Sequence, residues 1–193
     1  MGKQFKLQTL LEIAIFAALA MLLDLIPSIK PHPSISISFA MIPIFIIAFR
    51  WGVRAAFISG FIWGILQIAL GDAWILTPLQ AFIEYFIAFA FIGFAGLFST
   101  QIKRALRTNN KKTATFYIVI AVIIGSAARY FWHFIAGVVF FSEYAFEAGQ
   151  GPIIFSLIAN GITFTGATIT CSILLILLIT TAPHLITSAK TEK

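Results

Sequence analysis

The chain has 193 residues, of which 60% are hydrophobic and 10% are charged, and its mean hydropathy is +1.00. Soluble domains carry about 25% charged residues, so this sequence has too few polar side chains to cover a surface that faces water. The composition therefore excludes an ordinary soluble protein and predicts an integral membrane protein. The one cysteine, Cys171, excludes a disulfide framework and a thiolate metal cluster.

Six apolar runs follow one another along the chain, and a membrane-spanning helix needs about 20 apolar residues. The runs are Leu10–Ile26, Ile35–Phe49, Val53–Leu70, Leu76–Phe98, Ala114–Phe141 and Ile153–Thr181. The second run is short, and only a tight turn separates it from the third, so five and seven spans are the alternatives. We predict an all-α integral membrane protein, a bundle of six transmembrane helices that forms one domain over residues 1–193.

Basic residues concentrate before, between and after these runs in an alternating pattern. Eleven of the 13 precede the first run, flank the turns after the second and fourth runs, or follow the last: Lys3, Lys6, Arg50, Arg54, Lys103, Arg104, Arg107, Lys111, Lys112, Lys190 and Lys193. Lysine and arginine favour the cytoplasmic side of a membrane. Both termini are therefore predicted to be cytoplasmic, in a multi-pass protein of a prokaryotic cell membrane. The net charge of +6 follows from this topology and predicts no nucleic-acid partner.

Two connecting segments and the first run carry further predictions. The segment Pro27–Ser34 contains three prolines and is predicted to be a non-helical loop on the outer side. The segment Thr100–Thr113 is predicted to be a charged, solvated linker. The first run is predicted to stay as a helix, because its removal as a signal peptide would spoil the alternation of charge.

Motifs of common enzymes do not occur in the sequence. There is no Gly-x-x-x-x-Gly-Lys-Ser/Thr phosphate loop, so an ATP-driven transport step would need an ATPase in another chain. His-Glu-x-x-His, Gly-x-Ser-x-Gly and Cys-x-x-Cys are absent too. We therefore expect a protein that is not an enzyme and that has no cofactor and no metal site.

Three ionisable residues fall deep within the runs, where their cost makes each a candidate for function. They are Glu84 in the fourth run and Arg129 and His133 in the fifth. Residues four apart share one face of a helix. The polar faces predicted in this way are Gln80 with Glu84, Arg129 with His133 and Gly137, and Ser156 with Asn160.

These polar faces have two interpretations. One is structural: a buried ion pair of Glu84 with Arg129, with His133 and Asn160 bridging helices by hydrogen bonds. The other is a pocket for an organic cation, since one carboxylate among aromatic rings attracts a cation by charge and by ring-face contacts of about 0.5–2 kcal/mol each. The aromatic residues that favour the pocket are Trp63, Trp74, Tyr85, Trp132 and Phe141.

Ala14 and Ala18 in the first run form a small-x-x-x-small pair. This spacing lets another helix approach closely. The neighbouring helix belongs either to the same bundle or to a partner.

With these residues the chain resembles the thiamine-specific substrate-binding subunit, or S-component, of energy-coupling factor transporters. The resemblance runs nearly end to end. It rests on Glu12 to Ala18, Ile42 to Gly52, Gln80 to Tyr85, Arg129 to Gly137, and Ser156-Leu157 with Asn160.

The resemblance implies a six-helix bundle that binds thiamine near its outer end. It also implies a membrane coupling subunit, on which Ala14 and Ala18 dock, and two ATPase subunits. The substrate-binding residues that it and the polar faces indicate are Glu84, His133, Asn160, Arg129, Tyr85, Trp74, Trp63, Phe141 and Gly137.

The chain departs from the family pattern at several positions. Phe141 stands where a tryptophan is expected for ring stacking, Phe155 stands where a tyrosine is common, and Arg129 stands where lysine is also seen. The first outer loop lacks a tryptophan found in some members. These differences leave open a related ligand, such as another vitamin or a pyrimidine precursor.

Two other classes of function remain open on the sequence. A stand-alone ion-coupled carrier of a small organic cation would use Glu84, Arg129 and His133 as a proton relay. A membrane enzyme would use His133 and Glu84 as acid and base, although no nucleophile accompanies them.

Overall fold

The computed structural model describes residues 5–26, 29–32 and 35–187. Over these ranges the chain is almost entirely helical, with one two-stranded antiparallel hairpin. The elements in chain order are α1 (Leu7–Asp24), β1 (Ile29–His32), β2 (Ile35–Ile37), α2 (Ile42–Trp51), α3 (Val53–Ala69), α4 (Pro78–Arg107), α5 (Lys111–Phe140), α6 (Ser142–Glu147) and α7 (Pro152–Thr181).

The helices α1, α4, α5 and α7 are long and apolar enough to cross a membrane, whereas α2 and α3 are shorter. Many large apolar side chains on these helices are exposed, among them Leu11 and Ile15 on α1 and Ile153 and Leu157 on α7. A soluble protein would bury most of these side chains. The exposed apolar surface is therefore the surface expected of a protein surrounded by lipid.

The second apolar run differs from its prediction as one continuous helix. Ile35–Ile37 pairs with β1, and α2 begins only at Ile42, with Pro43 in its first turn, where proline costs no hydrogen bond. Side chains of α2 such as Ile44 and Phe49 are completely buried, because α1, α3 and α4 enclose it. A helix surrounded by protein need not match the thickness of the bilayer, which explains how ten residues suffice.

The predicted loop Pro27–Ser34 is extended rather than helical at Ile29–His32, and residues 27–28 and 33–34 lie outside the described residues. Most of the predicted linker Thr100–Thr113 is helical. The chain stays helical to Arg107, because Ile102 and Ala105 are buried and the Ser99 hydroxyl donates to the carbonyl of Phe49. The turn that follows is short and contains Asn109 in a left-handed conformation.

The first part of α4 contains a wider π-helical turn at Phe82–Ile87. Helix α3 packs directly against this turn: a Cβ on Gly64 would overlap the carbonyl oxygen of Tyr85. Glycine is therefore needed at residue 64 for the two backbones to approach. π-Helical turns are frequent at functional sites, and this turn carries Glu84.

Successive long helices run in opposite directions, which gives the bundle two chemically different ends. One end, called the basic end here, carries Lys6, Arg50, Arg54, Lys103, Arg104, Arg107, Lys111 and Lys112. The helices α1, α3 and α5 finish at the opposite end, where α2, α4 and α7 begin.

Candidate binding cavity

A cavity of about 350 Å³ opens among the helix termini at the end opposite the basic end. Its wall comes from the end of α1, the segment from Ser36 to Met41, the loop before α4, the π-helical turn, the last three turns of α5, α6 and the start of α7. This volume lies in the usual range for a small-molecule site. Of the residues selected from the sequence, those that line it are Trp74, Glu84, Arg129, His133, Gly137, Phe141 and Asn160.

A chain of hydrogen bonds links Arg129, His133 and Glu84 across the cavity wall. The Arg129 Nε donates to His133 Nε2 at 3.2 Å, and His133 Nδ1 lies 3.2 Å from Glu84 Oε1. A guanidinium group only donates, so Nε2 must be the unprotonated nitrogen and Nδ1 must carry the proton that faces Glu84. His133 is thus a neutral imidazole with both nitrogens engaged, and the part of it that remains for a ligand is its ring face.

The second oxygen of Glu84 accepts a hydrogen bond from Gln80 Nε2. The same amide nitrogen donates to the carbonyl of Trp74 at 3.1 Å, and its oxygen accepts from the backbone of Leu76 at 3.0 Å. Gln80 is completely buried. It therefore fixes both the Glu84 carboxylate and the loop that carries Trp74.

Arg129 is held by aromatic rings as well as by His133. Its guanidinium carbon lies 4.2 Å from the ring centre of Phe89, 5.0 Å from that of Trp63 and 5.6 Å from that of Tyr130. Such contacts stabilise a desolvated guanidinium group. The direct Glu84–Arg129 ion pair considered from the sequence does not form in this structure, because His133 lies between the two charges.

Two of the aromatic residues selected from the sequence lie behind the cavity wall. Trp63 is completely buried, with its ring centre 4.3 Å from that of Phe89, and its ring packs against the guanidinium group of Arg129. Tyr85 accepts a hydrogen bond from the backbone nitrogen of Trp74 at 2.7 Å. Both residues stand one layer back from the cavity and position residues that line it.

The open side of the cavity has an aromatic rim made of Trp74, Phe141 and Tyr144. The ring of Tyr144 lies 6.2 Å from that of Trp74, edge to face, and 5.9 Å from that of Phe141. Tyr144 was not selected from the sequence, because an aromatic residue in a short polar loop gives no signal of its own. It extends the π surface where Phe141 is smaller than the expected tryptophan.

The wall formed by α5 and α7 depends on Gly137. A Cβ at this residue would overlap the hydroxyl of Ser156, which donates to the carbonyl of Phe134 at 2.8 Å. The amide nitrogen of Asn160 donates to the backbone carbonyl and the hydroxyl of Ser156 at 3.1 and 3.2 Å. Within the described ranges these are the hydrogen bonds of the Asn160 side chain, so its carbonyl oxygen is the group left for a ligand.

Asp24 is a second carboxylate in the cavity wall, and it was not selected from the sequence. It accepts hydrogen bonds from Gln67 Nε2 and from the Ser38 hydroxyl, the latter at 3.4 Å. The signal that could have found it is Gln67, a lone amide within the third apolar run. No cluster of three or more potential metal ligands (His, Cys, Asp or Glu) occurs in the part of the chain that the structure describes.

The basic end contains a different polar network. Glu12 accepts from Arg50 Nη2 at 2.9 Å and from the indole nitrogen of Trp51 at 2.7 Å. Arg50 also donates to the carbonyl of Leu185 at 3.0 Å, and Lys103 donates to the carbonyl of Arg50 at 2.7 Å. This network, called the Glu12 network below, ties α1, α2, α4 and the segment after α7 together.

Ala14 and Ala18 lie on the exposed side of α1, whereas Ile13, Ala17 and Ala20 are buried. The pair therefore does not pack against another helix of this bundle. It gives α1 a shallow exposed surface that a second protein can approach closely.

Comparison with known proteins gives one consistent result. The family described as thiamine transporter protein (Thia_YuaJ) matches residues 10–187. The thiamine transporter ThiT of Bacillus subtilis (strain 168) is 39% identical over 193 residues, which cover 98% of this chain and all of the relative. The thiamine transporter ThiT of Lacticaseibacillus paracasei is also 39% identical, over 96% of this chain and 93% of the relative. The solved structure of ThiT from Listeria monocytogenes is 46% identical, covers 93% of this chain and 97% of its own, and superimposes with a TM-score of 0.90.

Proposed function

The chain belongs to the thiamine transporter protein family, and from this premise we propose that it is the thiamine-capturing membrane subunit of an ATP-driven energy-coupling factor transporter. The protein is a multi-pass protein of a bacterial cell membrane. The observation that carries the proposal is the cavity itself, in which the Glu84 carboxylate lies among aromatic side chains.

The chemistry of the cavity matches the chemistry of thiamine. The positively charged thiazolium ring of the vitamin meets Glu84, whose position is fixed by Gln80 and His133. Flat rings stack on the faces of His133 and Phe141, since both nitrogens of His133 are already engaged. Asn160 accepts a hydrogen bond from the amino group of the aminopyrimidine.

The orientation in the membrane follows from the distribution of charge. Lysines and arginines gather at the basic end, which we assign to the cytoplasm by the positive-inside rule. The six apolar helices then place both termini in the cytoplasm and the cavity on the outer side. A cavity that opens outward is suited to capture a scarce vitamin before it crosses the membrane.

The ATP-driven step is assigned to other chains. This sequence lacks a phosphate-binding loop, and the exposed pair Ala14 and Ala18 supports docking of α1 on a membrane coupling subunit, which would in turn bind two ATPases. An ion-coupled carrier that works alone is the competing function. Gradient-driven thiamine uptake by the purified chain alone in liposomes would establish that alternative.

A titration of the purified chain in detergent with thiamine tests the ligand, with tryptophan fluorescence as the readout. We expect saturable one-to-one quenching, because Trp74 lines the cavity. Riboflavin and biotin serve as controls and should leave the fluorescence unchanged. A folded protein that shows no quenching and no heat of binding with thiamine would refute the proposal.

A further inference from the structure

Asp24 is the cavity carboxylate that the proposed binding scheme leaves without a role. It is the last residue of α1, and it lines the cavity together with Glu84. Its hydrogen-bond partners among the described side chains are the Gln67 amide and the Ser38 hydroxyl, which are both uncharged. A carboxylate in such a place is costly unless a positive charge offsets it.

Arg129 attracts Asp24 at a distance, but its direct contacts are with another part of the wall. Its Nε donates to His133, and its guanidinium group packs on the rings of Phe89 and Trp63. In the part of the chain whose side chains the structure describes, the acidic and basic residues that line the cavity are Asp24, Glu84, Arg129 and His133. With His133 neutral, these residues contribute two carboxylates and one guanidinium, which is a net charge of one negative unit.

Asp24 is also held in a fixed position before any ligand arrives. Gln67 reaches it from α3, and Ser38 reaches it from the segment that leads into α2. The Ser38 hydroxyl accepts a hydrogen bond from the backbone of Ala40 at 3.1 Å, which fixes its own place. A preorganised carboxylate loses little freedom when a ligand binds, so more of its attraction for a cation appears as affinity.

We propose that Asp24 is a second ligand-binding carboxylate, which sets the charge preference of the cavity: with Glu84 it makes the cavity accept ligands that carry one net positive charge and disfavour neutral or anionic relatives. This inference rests on the proposed function for the identity of the cation, thiamine. It deepens that function by assigning the selection for charge to a residue on α1.

The test compares two ligands on the full-length chain with the substitution Asp24→Asn. Asparagine has nearly the same shape but carries no charge; its oxygen can accept from the Ser38 hydroxyl, and its amide nitrogen can donate to the Gln67 oxygen once that amide turns over. The ligands are thiamine and the neutral hydroxymethyl aminopyrimidine that lacks the thiazolium ring. We expect Asp24→Asn to weaken thiamine binding at least about tenfold and to change the binding of the neutral ligand less than about threefold.

A matched control is Glu147→Gln, which removes a carboxylate charge from an exposed residue at the same end that does not line the cavity. It should leave both affinities unchanged. Asp24→Glu keeps the charge and should keep the preference for thiamine over the neutral ligand. If the asparagine variant does not fold, this variant provides the test, because loss of the preference would contradict the charge role. Melting temperatures establish that each variant is folded.

The outcomes separate the two proposals. Equal losses for both ligands in a folded Asp24→Asn variant would mean that Asp24 only supports the cavity, and unchanged affinities would mean that it does not act on the ligand; either result overturns the charge role alone. If the unaltered chain does not bind thiamine at all, the proposed function fails, and the role of Asp24 fails with it.

Discussion

The two ends of the bundle each contain partly buried carboxylates, but the carboxylates at one end have different kinds of partners from those at the other. In the Glu12 network every partner comes from the protein itself, and the carboxylate meets a guanidinium and an indole directly. In the cavity a neutral histidine separates Glu84 from Arg129, and the hydrogen-bond partners of Asp24 among the described side chains are uncharged. The carboxylate of the first network thus has a charged partner within the protein, whereas the described wall of the cavity keeps negative charge that a cation can offset.

The backbone also differs between the two ends, and it is less regular at the cavity end. Helix α4 has a 3₁₀-helical segment at Ile92–Phe98 and then continues as an α-helix to Arg107 at the basic end, whereas at the cavity end the chain forms a hairpin, a π-helical turn and the short helix α6. In irregular backbone some N–H and C=O groups are not paired within a helix, and side chains from several segments can meet in one place. We expect changes at the cavity end to affect ligand affinity and changes at the basic end to affect stability or transport.

The largest effect is expected from bulky residues on the exposed side of α1. The double substitution Ala14→Trp with Ala18→Trp should abolish thiamine uptake by cells, because it removes the close approach of a partner helix. Thiamine binding by the purified variant should stay unchanged. Ile169→Trp, on the exposed side of α7, is the control and should transport normally. Normal uptake by the double variant would show that α1 does not dock through this surface.

Removal of the Glu84 charge should have the next largest effect. Glu84→Gln is expected to weaken thiamine binding at least about tenfold, since an ionic contact with the cation is lost in a site of low dielectric. The variant should still fold, because the amide oxygen of the glutamine still accepts from His133, although its amide nitrogen cannot accept from Gln80. Fluorescence titration gives the affinity, and an unchanged affinity in the folded variant would contradict the role of Glu84.

The same substitution at the other end sharpens the contrast. Glu12→Gln should lower the free energy of unfolding by about 1–2 kcal/mol, because Arg50 loses its charged partner in a partly buried place. Thiamine affinity should remain that of the unaltered chain. Thermal unfolding in detergent measures the first quantity and titration the second. A variant that lost thiamine affinity but kept its free energy of unfolding would contradict the assignment of Glu12 to stability.

The smallest effect is expected at the aromatic rim. Phe141→Ala should weaken thiamine binding about three- to tenfold, which corresponds to the loss of one stacked ring. Phe146→Ala, in the same short helix region but exposed and outside the cavity wall, is the matched control and should bind normally. Equal affinities of the two variants would mean that Phe141 does not stack on the ligand.

The polar faces of the helices could be predicted from the sequence, because side chains four residues apart share one face of a helix in any fold. Arg129 with His133, Gln80 with Glu84 and Ser156 with Asn160 do make the contacts expected of such faces. The resemblance to a known family supplied the idea of a thiamine site. The order of the layers could not be predicted, since no local pattern places Trp63 behind Arg129 or Tyr85 behind Trp74.

By itself, then, the sequence determined the membrane environment, the helical faces and the concentration of positive charge at one end, because each depends only on composition and on local spacing. The tertiary structure decided which charges meet. It placed His133 between Glu84 and Arg129, and it brought Asp24, Gln67 and Ser38 together from three segments. It also enclosed α2 within the bundle. These features depend on how whole helices pack against one another, and no periodicity within a single helix encodes that packing.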